Sequence, residues 1–390
     1  MNQNRLNSEH TTEEWYRNCR LCPRNCGVNR RIRTGFCGSG ADIRAARAGL
    51  HYYEEPFLSG SQGSGTVFFS GCSLGCVYCQ NGQISHNLFG IDISVERLAE
   101  IFLEQQGRGA HNINLVTGTH FTPSIASALQ MAKVQGLTIP VVWNSSGYEK
   151  ADTLRMLEGL VDIFMPDFKT LSPELGMRYM KASDYPEQAM DALQCMAEMA
   201  GHAVFEKLST VSPETAEMPK TMVSPKTAEM PKTAASAGQT GLSVSRNKKE
   251  TTAGVPEFDK SPELYPGEGV LMRKGLVVRH LVVPGQTEDS KAVLRYLQET
   301  YGDQIWISLM SQYTPVGVFA EKEDPFAQGT SELLVREMYP ELCRKLSARE
   351  YDEVVDYAIS LGIENCMIQE EDVASDSFIP DFDGSGIRRG

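Results

Sequence analysis

At 390 residues, 41% of them hydrophobic and 22% charged, the chain has room for one large globular domain or two modest ones. Its formal net charge of -13 weighs against nucleic-acid binding, which needs a basic face, although Arg30, Arg31 and Arg33 form a local basic patch. No apolar run approaches the roughly 18 residues of a membrane span, and residues 1–14 lack the apolar heart of a signal peptide. A cytoplasmic protein without a membrane partner is therefore expected.

The first motif in chain order is cysteine-rich. Cys19, Cys22, Cys26 and Cys37 stand among Pro23, Gly27, Gly35 and Gly38, residues that permit tight turns. Four thiols saturate a zinc ion or a closed iron–sulfur cluster, so residues 1–50 are expected to form a metal-binding extension, its metal left open. Residues 66–70 then read as a strand ending at Gly71. Cys72, Cys76 and Cys79 follow at once, spaced C-x3-C-x2-C, with Tyr78 and Asn81 beside them. Tight clusters in a long chain fit metal ligands better than disulfides, and the scattered Cys195, Cys343 and Cys366 read as inert buried thiols.

Strand and helix then alternate. Ser94 caps a helix carrying Val95, Leu98, Ile101 and Phe102; residues 112–119 read as a strand; Thr122 and Pro123 start a helix that Gly136 stops. Strands at 139–143 and 161–165 flank a helix at 151–157. Residues 208–264 depart from this pattern, with the run VSPETAEMPKT at 211–221 nearly repeated at 223–233, and read as a disordered insertion. Strands at 276–283, 306–310 and 366–369 resume the order, with helices at 290–300 and after a Ser347–Glu350 capping box. This order predicts an α/β fold, a partial or complete (β/α) barrel over 51–207 and 265–370 with right-handed crossovers, and a tail at 371–390. Ligands belong at the carboxyl ends of its strands.

Three thiolates on one loop can hold three irons of a 4Fe-4S cube and leave the fourth open to a small chelating molecule. Zinc with His86 as fourth ligand is the plainer alternative, but zinc favours paired C-x2-C units. The C-x3-C-x2-C loop resembles that of the radical SAM superfamily. Within that superfamily the chain is similar to homologues of pyruvate formate-lyase activating enzyme, through LCPRNCGV at 21–28, GSGTVFF at 63–69, NINLVTGTH at 112–120, MPDFK at 165–169 and RHLVVPG at 279–285.

The resemblance implies a barrel enzyme in which Cys72, Cys76 and Cys79 ligate a 4Fe-4S cluster reduced by an external donor such as flavodoxin or ferredoxin. S-adenosylmethionine (SAM) would bind the open iron and be cleaved to methionine and a 5′-deoxyadenosyl radical. Tyr78 would help hold the adenine, and Thr117, Gly118 and Thr119 would lie near the methionine amino group, though the acidic residue common there is missing. Asn144 and Ser145, with Ser146, end the next strand and could bind the SAM carboxylate, or form a plain turn. Asp167 and Lys169, on one side of a strand end, are candidate catalytic residues near SAM and substrate, with a rim salt bridge as the alternative. Arg279 and His280 are neighbours in a strand, so only one faces the interior; Gln312 and Tyr313 are weaker candidates. The substrate stays open: a protein partner activated at a glycine, RNA or a small metabolite. A non-catalytic zinc-binding interaction module is the reading from another class.

Overall fold

The computed structural model describes residues 12–207, 269–320, 330–369 and 380–388. The expected insertion at 208–264 lies outside the described residues, as does most of the tail. Ten strands occur among the described residues: β1 (Ile43–His51), β2 (Ser64–Phe69), β3 (Ile91–Ile93), β4 (Ile113–Val116), β5 (Val141–Ser145), β6 (Ile163–Pro166), β7 (Val204–Lys207), β8 (Val270–Leu281), β9 (Trp306–Met310) and β10 (Cys366–Ile368). Strands β2, β4, β5 and β6 are buried at every position, as expected for parallel strands covered on both faces.

The parallel strands follow one another across the sheet in chain order, β2-β4-β5-β6-β8-β9-β10. No strand order reverses, so the crossovers all proceed in one direction, as in a barrel rather than a doubly wound sheet. The sheet path ends at β10 on one side and β3 on the other, and is not closed among the described residues. The architecture is that of an open, partial (β/α) barrel.

Local signals set the helices. Ser94 Oγ accepts from the Arg97 N–H at 3.2 Å and starts helix Val95–Gly107, which buries Leu98, Ile101 and Phe102. Pro123 lies in the first turn of helix Thr122–Val134, and Gly136 follows its end at φ +106°. Both halves of the Ser347–Glu350 capping box are formed.

Several boundaries differ from the sequence reading. The strand expected at 112–119 stops at Val116 because Thr117 turns into the left-handed region at φ +61°. Strand β8 starts six residues earlier than expected because β7 pairs with its first half, antiparallel. Strands β1 and β3, both antiparallel additions beyond β2, were not expected. Residues 380–388 lie against β1: the Ala48 N–H donates to the Ser385 carbonyl at 2.9 Å, and Phe382 meets Phe68 edge-on.

Side chains two apart on a strand share a face, which divides the barrel interior into layers. Val142, Ile163, Met165, Val277 and Trp306 pack with Phe57 and Leu58 of the short helix Pro56–Ser59 as an apolar plug. Burying Phe57 contributes roughly 2–3 kcal/mol. One step along the same strands, the inward positions become polar: Asn114, Asn144, Asp167, Arg279 and Ser308.

Candidate functional site

The loop carrying Cys72, Cys76 and Cys79 leaves the carboxyl end of β2 through Gly71, at φ +88°. A side chain on Gly71 would collide with Ser39 Oγ and the Cys37 carbonyl, so glycine lets the two cysteine-rich segments touch. Cys76 is buried, and Cys72 and Cys79 are half-buried. Cys72 Sγ accepts from the Leu74 N–H at 3.4 Å, and Cys79 Sγ from Ser85 Oγ at 3.3 Å. Burial pushes the Cys72 and Cys76 thiols up; Lys169 pulls the other way, and the neighbouring sulfurs add to the rise. The Tyr78 ring is buried edge-on to Tyr179, centroids 5.7 Å apart.

A chain of charges runs beside this loop. Lys169 Nζ donates to Asp167 Oδ2 at 2.9 Å, and Arg279 Nε donates to Asp167 Oδ1 at 3.0 Å. Arg279 also donates to Asn144 Oδ1 at 2.6 Å and approaches Glu54 Oε2 at 3.5 Å. Burial would raise the Asp167 carboxyl, but Arg279 and then Lys169 outweigh it and hold it below its ordinary value. Burial would likewise lower the Lys169 ammonium, and the negative charge of Asp167 outweighs it. Asp167 and Lys169 are thus an internal ion pair, and it lies close enough to Cys76 for each to shift the other.

The neighbouring strand ends make a second network. Thr117 donates its N–H to the Asn144 carbonyl at 2.8 Å, and Gly118 packs so tightly that a Cβ would lie 3.0 Å from the Trp143 ring. The hydroxyls of Thr119 and Ser145 and the Trp143 Nε1–H all donate to Glu149, a buried carboxylate. Burial raises its carboxyl despite these donors. Thr119 and Ser145 therefore spend their side chains on Glu149, as Asn144 spends its amide oxygen on Arg279. Sequence reasoning missed Glu149; a lone acid four residues past a strand end was the available signal.

The other candidates separate cleanly. Arg279 faces the interior, whereas His280 faces the helices, with Nδ1 2.7 Å from the Phe168 carbonyl and Nε2 2.9 Å from Ser290 Oγ. Tyr313 is buried and donates to the Leu342 carbonyl at 2.6 Å. The Gln312 carbonyl accepts from Gln80 Nε2 at 3.0 Å. His86 follows the short helix Gly82–Ser85, its N–H on the Gly82 carbonyl.

Residues 19–37 bring the second set of thiols together. The Cys19 N–H donates to the Val28 carbonyl and the Gly27 N–H to the Cys19 carbonyl, both at 2.9 Å. A Cβ on Gly35 would stand 3.5 Å from Cys26 Sγ and 3.7 Å from Cys37 Sγ. Burial pushes the Cys22 thiol up to about 12, and the charges of Cys37, Cys19 and Cys26 add to the rise. Two arginines bind this knuckle to its surroundings. Arg24 donates to the carbonyls of Ser73, Leu74, Met180 and Lys181 and stacks 3.8 Å over Phe36. Arg30 donates to the carbonyls of His120 and Gly40 and lies over the Tyr16 ring.

Residues 66–222 match the family model of the radical SAM superfamily. Over those residues the chain is similar to a radical SAM domain. It is also 34% identical over 177 residues to an uncharacterized protein of Methanocaldococcus jannaschii, a match spanning 44% of this chain and 51% of that relative. The chain thus matches about half the length of that curated relative.

The residues in the matched segment suit the cofactor that the similarity implies. Among the described residues no three Cys, His, Asp or Glu side chains are drawn into a closed metal-holding set. The donor chemistry nevertheless fits an iron–sulfur cluster: three free thiols on one loop, two of them accepting hydrogen bonds, with the Cys79 sulfur close enough to raise the thiols of both Cys72 and Cys76. Among the described residues no helix is long and apolar enough to cross a membrane.

Proposed function

We propose that this protein is an enzyme that reductively cleaves SAM at a 4Fe-4S cluster held by Cys72, Cys76 and Cys79. The observation that carries it is the three-thiol loop at the carboxyl end of β2, in a segment similar to a radical SAM domain, against the buried Asp167–Lys169 pair. When bound, the cluster supplies the electron that splits the sulfonium and yields a 5′-deoxyadenosyl radical.

The chain's own residues would bind and orient. Lys169 keeps a positive charge beside thiolates that burial otherwise disfavours, and Asp167 fixes its ammonium. Arg279 anchors Asp167 from the opposite side, so the charged pair stays in register with the loop. The Tyr78 ring would form an apolar wall for the adenine. Thr117, Gly118 and the Asn144–Ser145 strand end would receive the amino and carboxylate groups, with Glu149 fixing Thr119 and Ser145. Cys19, Cys22, Cys26 and Cys37 would hold zinc or a second cluster.

The finer reading, hydrogen abstraction from a glycine of a partner protein with flavodoxin or ferredoxin as donor, rests on the motif likeness to activating enzymes. Ten cysteines outside any disulfide and a reducible cluster suit the reducing cytoplasm. Anaerobic reconstitution with iron and sulfide, then dithionite and SAM, should yield 5′-deoxyadenosine. Absence of that product from a protein with a reducible cluster would reject the proposal. Capture of a glycyl-radical protein by the catalytically blocked chain would support the activating version. A second reading, a small-molecule substrate, is favoured by a charged cavity inside the barrel.

A further inference from the structure

Between the apolar plug and the ends of β8–β10 the described residues enclose a cavity. The cavity measures about 500 Å³, within the range of small-molecule sites. Arg279, Ser308, Gln312 and Glu55 give it a polar wall, and Met310 and Ile368 an apolar one. Tyr52 and Tyr53, both more than half exposed, also line it. It abuts the cysteine loop, because Gln80, next to Cys79, bonds the carbonyl of Gln312.

The charges around it do not balance. Among the described residues, Glu54, Glu55 and Asp167 are three carboxylates, against the two cations Arg279 and Lys169. Asp167 is paired twice, and Glu54 takes Asn114 Nδ2 at 2.8 Å and Arg279. Glu55 differs. It is 8% exposed, Ser308 serves its carboxylate, and its Oε2 has no hydrogen-bond partner among the described residues. A buried carboxylate oxygen without a donor is costly, and a charged donor from outside removes that cost. Burial raises both glutamate carboxyls, and the single Arg279 charge works against it in each.

We propose that this cavity is the substrate pocket and takes a small molecule bearing a protonated primary amine, which donates to Glu55 while its body lies against Met310 and Ile368. Calling the occupant a substrate rests on the radical SAM reading; its chemical class rests on the cavity alone.

Saturation-transfer NMR on the full chain, without SAM or reductant, tests the class with three probes of like shape. Phenethylamine should bind, and phenethyl alcohol and 3-phenylpropionate should not. Glu55→Gln should weaken phenethylamine about tenfold or more, with a melting temperature equal to or above wild type, since an unpaired buried charge has been removed. Equal binding of all three probes, or unchanged amine affinity in Glu55→Gln, overturns the proposal. A lower melting temperature with affinity retained would make Glu55 structural and also overturn it. Amine binding in a protein that makes no 5′-deoxyadenosine would reject the radical reading and leave the amine site standing; the reverse pattern would reject the amine site alone.

Discussion

The two cysteine loops touch, yet they sit in opposite surroundings. The knuckle gathers four thiols among Tyr16, Leu21, Val28 and Ala41, and its Arg24 and Arg30 spend their donors on main-chain carbonyls, with the Arg30 charge also felt at Cys37. The loop after β2 offers three thiols and faces the Asp167–Lys169 pair, with titratable groups on several strands behind it. A complete set of donors in an apolar setting suits a fixed centre. An incomplete set beside charges suits one that must also receive a ligand. Donor number and neighbours, not cysteine content, separate the two.

The sharpest test removes one thiol from each loop. Cys76→Ala should bring 5′-deoxyadenosine formation to background, whereas Cys22→Ala should lower metal content and melting temperature and leave cleavage by dithionite-reduced protein in place. Loss of product in both variants would collapse the distinction between them. Arg24→Ala should destabilise the chain by about 2–4 kcal/mol in chemical denaturation, because four carbonyls lose their donor at once. Lys169→Met should slow SAM cleavage by roughly 10–100-fold at nearly unchanged stability, since Asp167 keeps Arg279.

The smallest effect concerns the joint between the loops. The His120 carbonyl accepts from Arg30 of the knuckle, and its Nε2 lies 2.9 Å from the Ser70 carbonyl at the root of the other loop. Burial, with help from Arg30, lowers His120 from 6.5 to about 3. The unfolded chain therefore takes up a proton below 6.5 that the folded one refuses, and stability present above that pH is lost as pH falls. From about pH 7 to about pH 5.5 the loss should be about 1 kcal/mol. Thermal melts across that interval should show a flatter dependence in His120→Gln.

The parallel strands and their helices were legible because buried parallel strands are continuous apolar runs and capping residues mark helix starts. Strand β1 was not, since IRAARAGLH has one β-branched residue and two arginines, and only pairing on both sides makes it a strand. The cysteines could be read from spacing alone. Side-chain direction could not: the Arg279–His280 pair needed the register of β8 to show which residue turns inward. Glu54, Glu55 and Glu149 were missed because they act from turns, where no periodicity marks a face.

Arg24 sits between Cys22 and Cys26 in the chain, yet the groups it holds belong to 73–74 and 180–181. One side chain rooted in the outer loop thus splints the inner one: four main-chain carbonyls from two distant segments meet at a single guanidinium, so the inner loop keeps its shape through its neighbour's arginine rather than through its neighbour's sulfurs.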